Sequence, residues 1–126
     1  MKLVVVESPY GSNPDGSRAD ALTVERNVRY ARAAVADCLR RGEAPLASHL
    51  LYPQPGVLDD GDPEERKLGM EAGFAWGAAA ELVVAYIDLG WTAGMKLGVE
   101  RARARGAAVE VRWLPKQVLE ELTGLS

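Results

Sequence analysis

The residues best suited to chemistry stand in one run, Tyr86-Ile-Asp-Leu-Gly-Trp-Thr-Ala-Gly-Met95. An apolar stretch ending at Tyr86 feeds an Asp-x-Gly turn, and a helical pattern begins at Thr92. In an open α/β sheet such a junction lies at the carboxyl edge of a strand, where ligands bind. With Thr92 as N-cap, the amides of Gly94 and Met95 lack intrahelical partners, and such an end favours phosphate or carboxylate. Asp88, just before it, is placed to accept hydrogen bonds from sugar hydroxyls or a base edge. A sugar-phosphate or nucleotide pocket is the first expectation. Asp88→Ala is then expected to weaken ligand binding far more than stability, at a stability cost within about 1 kcal/mol, and the plainer alternative is that Asp88 and Thr92 only organise a turn.

The elements that must position these residues alternate along the chain. Lys2 to Glu7 is a β-branched run typical of a strand covered on both faces. Ser8 to Ala21 is rich in Gly, Ser, Asn, Pro and Asp and reads as a mobile loop. From Thr23, small or apolar residues recur at helical spacing through Val24, Val28, Ala31, Val35, Cys38 and Leu39 until Gly42. A short strand, Ala44 to Ala47, precedes a Pro-rich loop from Ser48 to Gly61. Asp62 is the N-cap of the next helix, with Pro63 at its first position and Glu65 completing a capping box. Its body, Leu68 to Ala80, is followed by a strand from Glu81 to Tyr86, a helix from Thr92 to Arg105 and a strand from Ala108 to Trp113. A short helix, Pro115 to Leu122, closes the pattern. Such alternation predicts a small Rossmann-like three-layer α/β sandwich with a parallel sheet of four strands in the order 2-1-3-4.

Length and composition fit one domain. A single core comfortably serves roughly 100–200 residues, and this chain has 126. A net charge of -3 argues against a general nucleic-acid binder. The only cysteine, Cys38, lies in an apolar-periodic segment and reads as a small core residue. The N-terminal apolar run is too short for a signal peptide, and no run is long enough to span a bilayer, so a cytoplasmic protein without membrane contact is expected. One histidine and one distant cysteine fall short of a transition-metal set. Asp59, Asp60 and Asp62 read as a turn rather than a magnesium site, and no cofactor is expected.

The predicted topology gathers polar residues at one sheet edge. Glu7-Ser8-Pro9-Tyr10, Ser48-His49, Asp88 through Thr92, and Arg112-Trp113 all follow strands. Strand one, with neighbours on opposite sides, is the topological switch point. Ligand is expected above strands one and three, with Tyr10 and Trp91 stacking on a flat base. His49 is a candidate proton donor or base-edge contact, or else a structural residue, and Arg66 either pairs with the acidic loop or reaches a phosphate.

Several motifs carry a family resemblance: Ser8-Pro9-Tyr10-x-Gly, Asn27-x-x-Tyr30-Ala31 and Gly94-Met95-x-Leu97-Gly98. To these add Ser48-His49-Leu50, Leu58-Asp59-Asp60-x-x-Pro63-x-Glu65-Arg66 and Asp88-Leu89-Gly90-x-Thr92 with Glu100. Over nearly its whole length the chain resembles the nucleoside 2-deoxyribosyltransferase-like superfamily, and most closely a group of short bacterial and phage proteins of that fold. The resemblance implies a nucleoside-type ligand and cleavage or transfer at an N-glycosidic bond. That chemistry needs a carboxylate at the anomeric carbon and a group that protonates the departing base. The ligand contacts expected at this edge are Ser8, Tyr10, Asn27, Gly90, Trp91, Thr92, Gly94 and Met95.

One departure stands out. In the characterised transferases the nucleophilic glutamate directly follows the Gly-Met pair, and here that position is Lys96. Glu100 lies one turn further on, roughly 6 Å of rise away, and is spaced to pair with Lys96 on an exposed face. A catalytic carboxylate would then come from Glu7, Asp88, Asp59 or Asp60, with His49 as proton donor. Two readings follow. In one, the chain binds a nucleotide or related sugar phosphate, with Lys96 at the anion site and the chemistry lost. In the other, it is an N-glycosidic-bond hydrolase or deoxyribosyltransferase. Gly69, Gly73 and Gly77 recur every fourth residue, and each costs roughly 0.8–1 kcal/mol against alanine. This stripe predicts close approach of the helix Asp62–Ala80 either to its own sheet or to a second copy of the chain, and we expect the homo-oligomer.

Overall fold

A computed structural model describes residues 1–124. The elements run β1 (Lys2–Glu7), α1 (Ala21–Arg40), β2 (Glu43–Leu46), α2 (Pro63–Ala79), β3 (Leu82–Tyr86), α3 (Ala93–Ala104), β4 (Ala108–Arg112) and α4 (Lys116–Thr123), with a 3₁₀ turn at Ser48–Leu50. The four strands pair in the order β2-β1-β3-β4. All pairings are parallel, with Val4 opposite Leu82 and Leu82 opposite Ala108. The expected α/β sandwich and strand order are therefore observed.

Helices cover both faces because each strand-helix-strand crossover is right-handed. The chain moves from β1 to β2 in one direction and from β2 through β3 to β4 in the other. This puts α1 with α4 on one face and α2 with α3 on the opposite face. The α1–α4 face holds the larger core, with Val4, Val6, Val84 and Tyr86 of the sheet against Tyr30, Ala34 and Leu114. Val5 and Val83 point the other way and pack with Ala102 of α3. Cys38 is buried in the first cluster, as a small core residue should be.

Local signals explain the boundaries. Asp20 caps α1 by accepting from the Thr23 amide at 2.8 Å, so the helix starts two residues before the apolar periodicity does. Asp62 caps α2 through the amides of Glu64 (2.9 Å) and Glu65 (3.4 Å). The expected capping box does not close. The Asp62 amide is already bonded to the Asp59 carbonyl at 3.1 Å, so the Glu65 carboxylate accepts from the Asp59 amide instead, at 3.3 Å. The segment after β1 folds back on itself through an antiparallel bridge between Ser12 and Arg18.

Asp88 proves to be an internal fastener. Its Oδ2 accepts from the Tyr30 hydroxyl at 2.6 Å and from the Leu114 amide at 2.9 Å. The same hydroxyl accepts from the Asp88 amide at 2.9 Å. One carboxylate thereby joins α1, the end of β3 and the entry to α4. Its loss leaves two buried or half-buried donors unpaired, each bonded to a charged group and so dearer than a neutral bond. Asp88→Ala is expected to lower the unfolding free energy in urea by about 2 kcal/mol or more. A loss under about 0.5 kcal/mol, the range of an ordinary surface substitution, would show that the fastener is idle.

Candidate functional site

A cleft opens at the carboxyl end of β1, on the α2–α3 face. It holds about 110 Å³ of free space and continues into a shallower groove of about 510 Å³ beneath the Pro53–Gly61 loop. Its walls come from the end of β1, the 3₁₀ turn, the outer loop, α2 and the first turn of α3. Such a position beside the switch between β2-β1 and β1-β3 is where parallel α/β sheets hold ligands.

Of the residues expected from sequence, Glu7, Tyr10, His49, Thr92, Gly94 and Met95 line this cleft. Tyr10 and His49 stack with ring centroids 5.3 Å apart and an interplanar angle of 14°. The Tyr10 hydroxyl donates to the Pro53 carbonyl at 3.3 Å, tying the wall to the outer loop. Burial draws the His49 imidazole below its ordinary pKa, against the opposing charge of Asp60. Burial, then the same Asp60 charge, raises the Tyr10 phenol. Both rings are therefore uncharged at neutral pH. Thr92 caps α3 by accepting from the Met95 amide at 3.3 Å, which uses one of the two amides expected to be free.

The other expected residues lie elsewhere. Asn27 is buried beneath the loop, where its amide donates to the Tyr10 carbonyl at 2.7 Å. It positions Tyr10 without reaching the cleft. Ser8 and Asp88 lie outside the lining. Asp88 is turned to α1, so it and Glu7 point to opposite faces of the sheet. Gly90 has φ +93°, a backbone that favours glycine, and its turn packs on Pro14. Trp91 does not face the cleft. Lys96 is exposed and outside it, because one helical step of roughly 100° from buried Met95 turns it to solvent. No ion pair joins it to Glu100 among the described residues. Arg112 is directed away from the ligand edge, as its guanidinium grips Glu43 through two bonds of 2.7 Å.

Of the α2 wall the sequence offered only Arg66. Glu65, Arg66, Met70 and Phe74 line the cleft from this helix. Its glycine spacing was the available signal. A Cβ at Gly69 would lie 3.2 Å from Leu58 Cδ1, and one at Gly73 would lie 3.2 Å from Ser48 Oγ. The close approach demanded by these two glycines is thus to the chain's own loop and 3₁₀ turn.

Three carboxyls, one cation and an apolar floor set the electrostatics. Asp60 pairs with Arg18 at 3.3 Å, and Glu65 accepts from the Asp59 amide. Arg66 makes no ion pair among the described residues. Glu7 lies against Gly98 of α3, where burial pushes its carboxyl up to about 8. Among the described residues no group of three His, Cys, Asp or Glu side chains forms a metal-holding cluster. No helix among them is long and apolar enough to cross a membrane.

Fold and cleft together define a small parallel α/β domain with a part-enclosed cleft at its switch point. The chain belongs to the family described as a domain of unknown function (DUF7768), which matches residues 2–112. No curated protein matches it.

Glu7 carries a pH signature. Its folded-state pKa of about 8 lies above the ordinary value of 4.5, so the folded protein holds a proton that the unfolded chain releases. Stability is then full below the unfolded pKa and falls as pH rises towards about 8, by at most roughly 1.4 kcal/mol per unit. Urea unfolding between pH 5 and pH 8 should show this slope in the parent and a shallower one in Glu7→Gln. Parallel profiles would mean that Glu7 ionises normally.

Proposed function

We propose that the cleft binds a nucleotide-type ligand. The base lies along the Tyr10–His49 stack, and the phosphate meets Arg66 and the free Gly94 amide at the start of α3. The observation that carries this reading is the stacked aromatic pair lining one cleft with an unpaired arginine and a helix N-terminus. A flat, uncharged aromatic wall suits a base of any sequence. The helix end and Arg66 suit an anion. Part of the negative charge nearby is compensated, since Asp60 is paired with Arg18 and Glu7 holds its proton. The adjoining groove supplies room that about 110 Å³ alone would not. Lys96, exposed and outside the lining, has no part in this anion site. The resemblance to the nucleoside 2-deoxyribosyltransferase-like superfamily supports the same ligand class.

A second reading, N-glycosidic bond cleavage or transfer, is favoured by the three carboxyl groups of Glu7, Asp60 and Glu65 around one cleft. Glycoside chemistry needs such groups at the anomeric carbon. With Lys96 where the transferases carry their nucleophile, that carboxylate would have to come from this set.

Calorimetric titration at low salt with adenosine, guanosine, cytidine and thymidine, and with their 5′-monophosphates, tests the binding reading. At least one monophosphate should bind more tightly than its nucleoside. Arg66→Gln should weaken that monophosphate by roughly tenfold or more, the worth of a charge-assisted bond, and leave the nucleoside nearly unchanged. No binding by any member would overturn the reading. Release of free base, read by mass spectrometry, would establish the enzyme.

A further inference from the structure

Glu7 is the most unusual side chain at the cleft. Strand alternation sends it, with Val5, onto the α2–α3 face, and α3 crosses it at Gly98. The missing side chain of Gly98 is what leaves room for the carboxyl. A Cβ there would lie 2.7 Å from Glu7 Cδ and 2.9 Å from Oε1. Among the described residues nothing donates a hydrogen bond to this carboxyl, and no cation pairs with it. The groups that share its cleft do not supply one. His49 is neutral through burial, Tyr10 keeps its proton, Asp60 pairs with Arg18, and Glu65 is itself an acid. Arg66 lies across the cleft on α2, and of the charged residues of α3, Arg101 stacks on the Phe74 ring at 4.5 Å while Lys96 and Glu100 are exposed. Met70, Phe74 and Met95 add apolar wall, and the hydroxyls of Ser12, Ser48, Tyr52 and Thr92 also line the cleft without bonding to Glu7.

An ionised carboxylate with no donor or cation has nothing to offset the water that partial burial removes, whereas the neutral acid loses much less and gains a donor O–H. We infer that Glu7 acts as a hydrogen-bond-donating carboxylic acid facing the ligand. It selects molecules that present an unprotonated acceptor there, such as the ring nitrogen or carbonyl of a heteroaromatic base. The ligand class rests on the nucleotide reading above, while the protonation state of Glu7 does not. A ligand that offered a cation at this point would ionise Glu7 and bind better as pH rises. An acceptor ligand must bind worse as the proton leaves.

Two measurements test this separately. In the ligand-free parent, carboxyl-carbon NMR of glutamate-labelled protein should show one resonance, missing in Glu7→Gln, with a midpoint near 8. A midpoint in the ordinary glutamate range overturns the inference. Second, calorimetric titration of the best-binding 5′-monophosphate at pH 7 and pH 9.5 should show parent affinity falling by roughly 30-fold, the factor set by a midpoint near 8. Glu7→Gln, which keeps a donor N–H but does not titrate, should bind with the same affinity at both. Parent affinity that is constant or rises with pH, or an equal fall in parent and variant, overturns the inference. If no nucleotide binds while Glu7 titrates near 8, the nucleotide reading fails and the neutral acid stands.

Discussion

A strand buried on both faces must send successive side chains to opposite sides, and that alternation governs this molecule. In β1, Val4 and Val6 belong to the α1–α4 core, while Val5 and Glu7 face α2 and α3. In β3, Val84 and Tyr86 point to α1, and Asp88 just beyond continues the same parity to meet Tyr30. Two acidic residues at neighbouring strand ends therefore receive opposite tasks. Asp88 closes one face by binding the Tyr30 hydroxyl and the Leu114 amide. Glu7 is left at the mouth of the other face, where α2 stands off far enough to leave a cleft.

The two faces are built differently to match. Beneath α1, charges are paired. Arg112 is buried between Glu43 and Glu110, and the Tyr86 hydroxyl donates to Asp37 at 2.6 Å. Removing one partner of such a pair strands a buried charge, so this face holds its arrangement tightly. The α2–α3 face has fewer buried contacts, and Gly77 is the only buried residue of α2. A firm side and an open side on one sheet suit a binding domain, because the rigid core fixes the strand ends while the thinner face admits a ligand.

The fold was legible from sequence because its signals are local: β-branched runs, caps at Asp62 and Thr92, and terminating glycines at Gly42 and Gly106. Half of the residues expected at the site do line the candidate cleft, since strand ends in a parallel sheet share one edge. The rest depended on facts that spacing along the chain does not contain. That Asp88 finds Tyr30, 58 residues away, is tertiary. That Lys96 faces solvent follows only once Met95 is known to be the buried neighbour. The stripe Gly69-Gly73 announced a close approach but did not name the surface approached, which is the chain's own Ser48 and Leu58. Arg66 was offered by the sequence with two alternatives, while Met70 and Phe74 of the α2 wall were hidden behind that ambiguity.

We propose that ligand enters between β1, α2 and the start of α3, and not above the Asp88–Trp91 turn. Amide chemical-shift mapping with adenosine 5′-monophosphate and its guanine, cytosine and thymine counterparts tests it most directly. Shifts should concentrate at Tyr10, His49, Gly69, Gly73 and Gly94, with Gly90, Lys96 and Leu114 little changed. Shifts centred on Asp88 to Trp91 and Lys96, or none with any of the four, would contradict it.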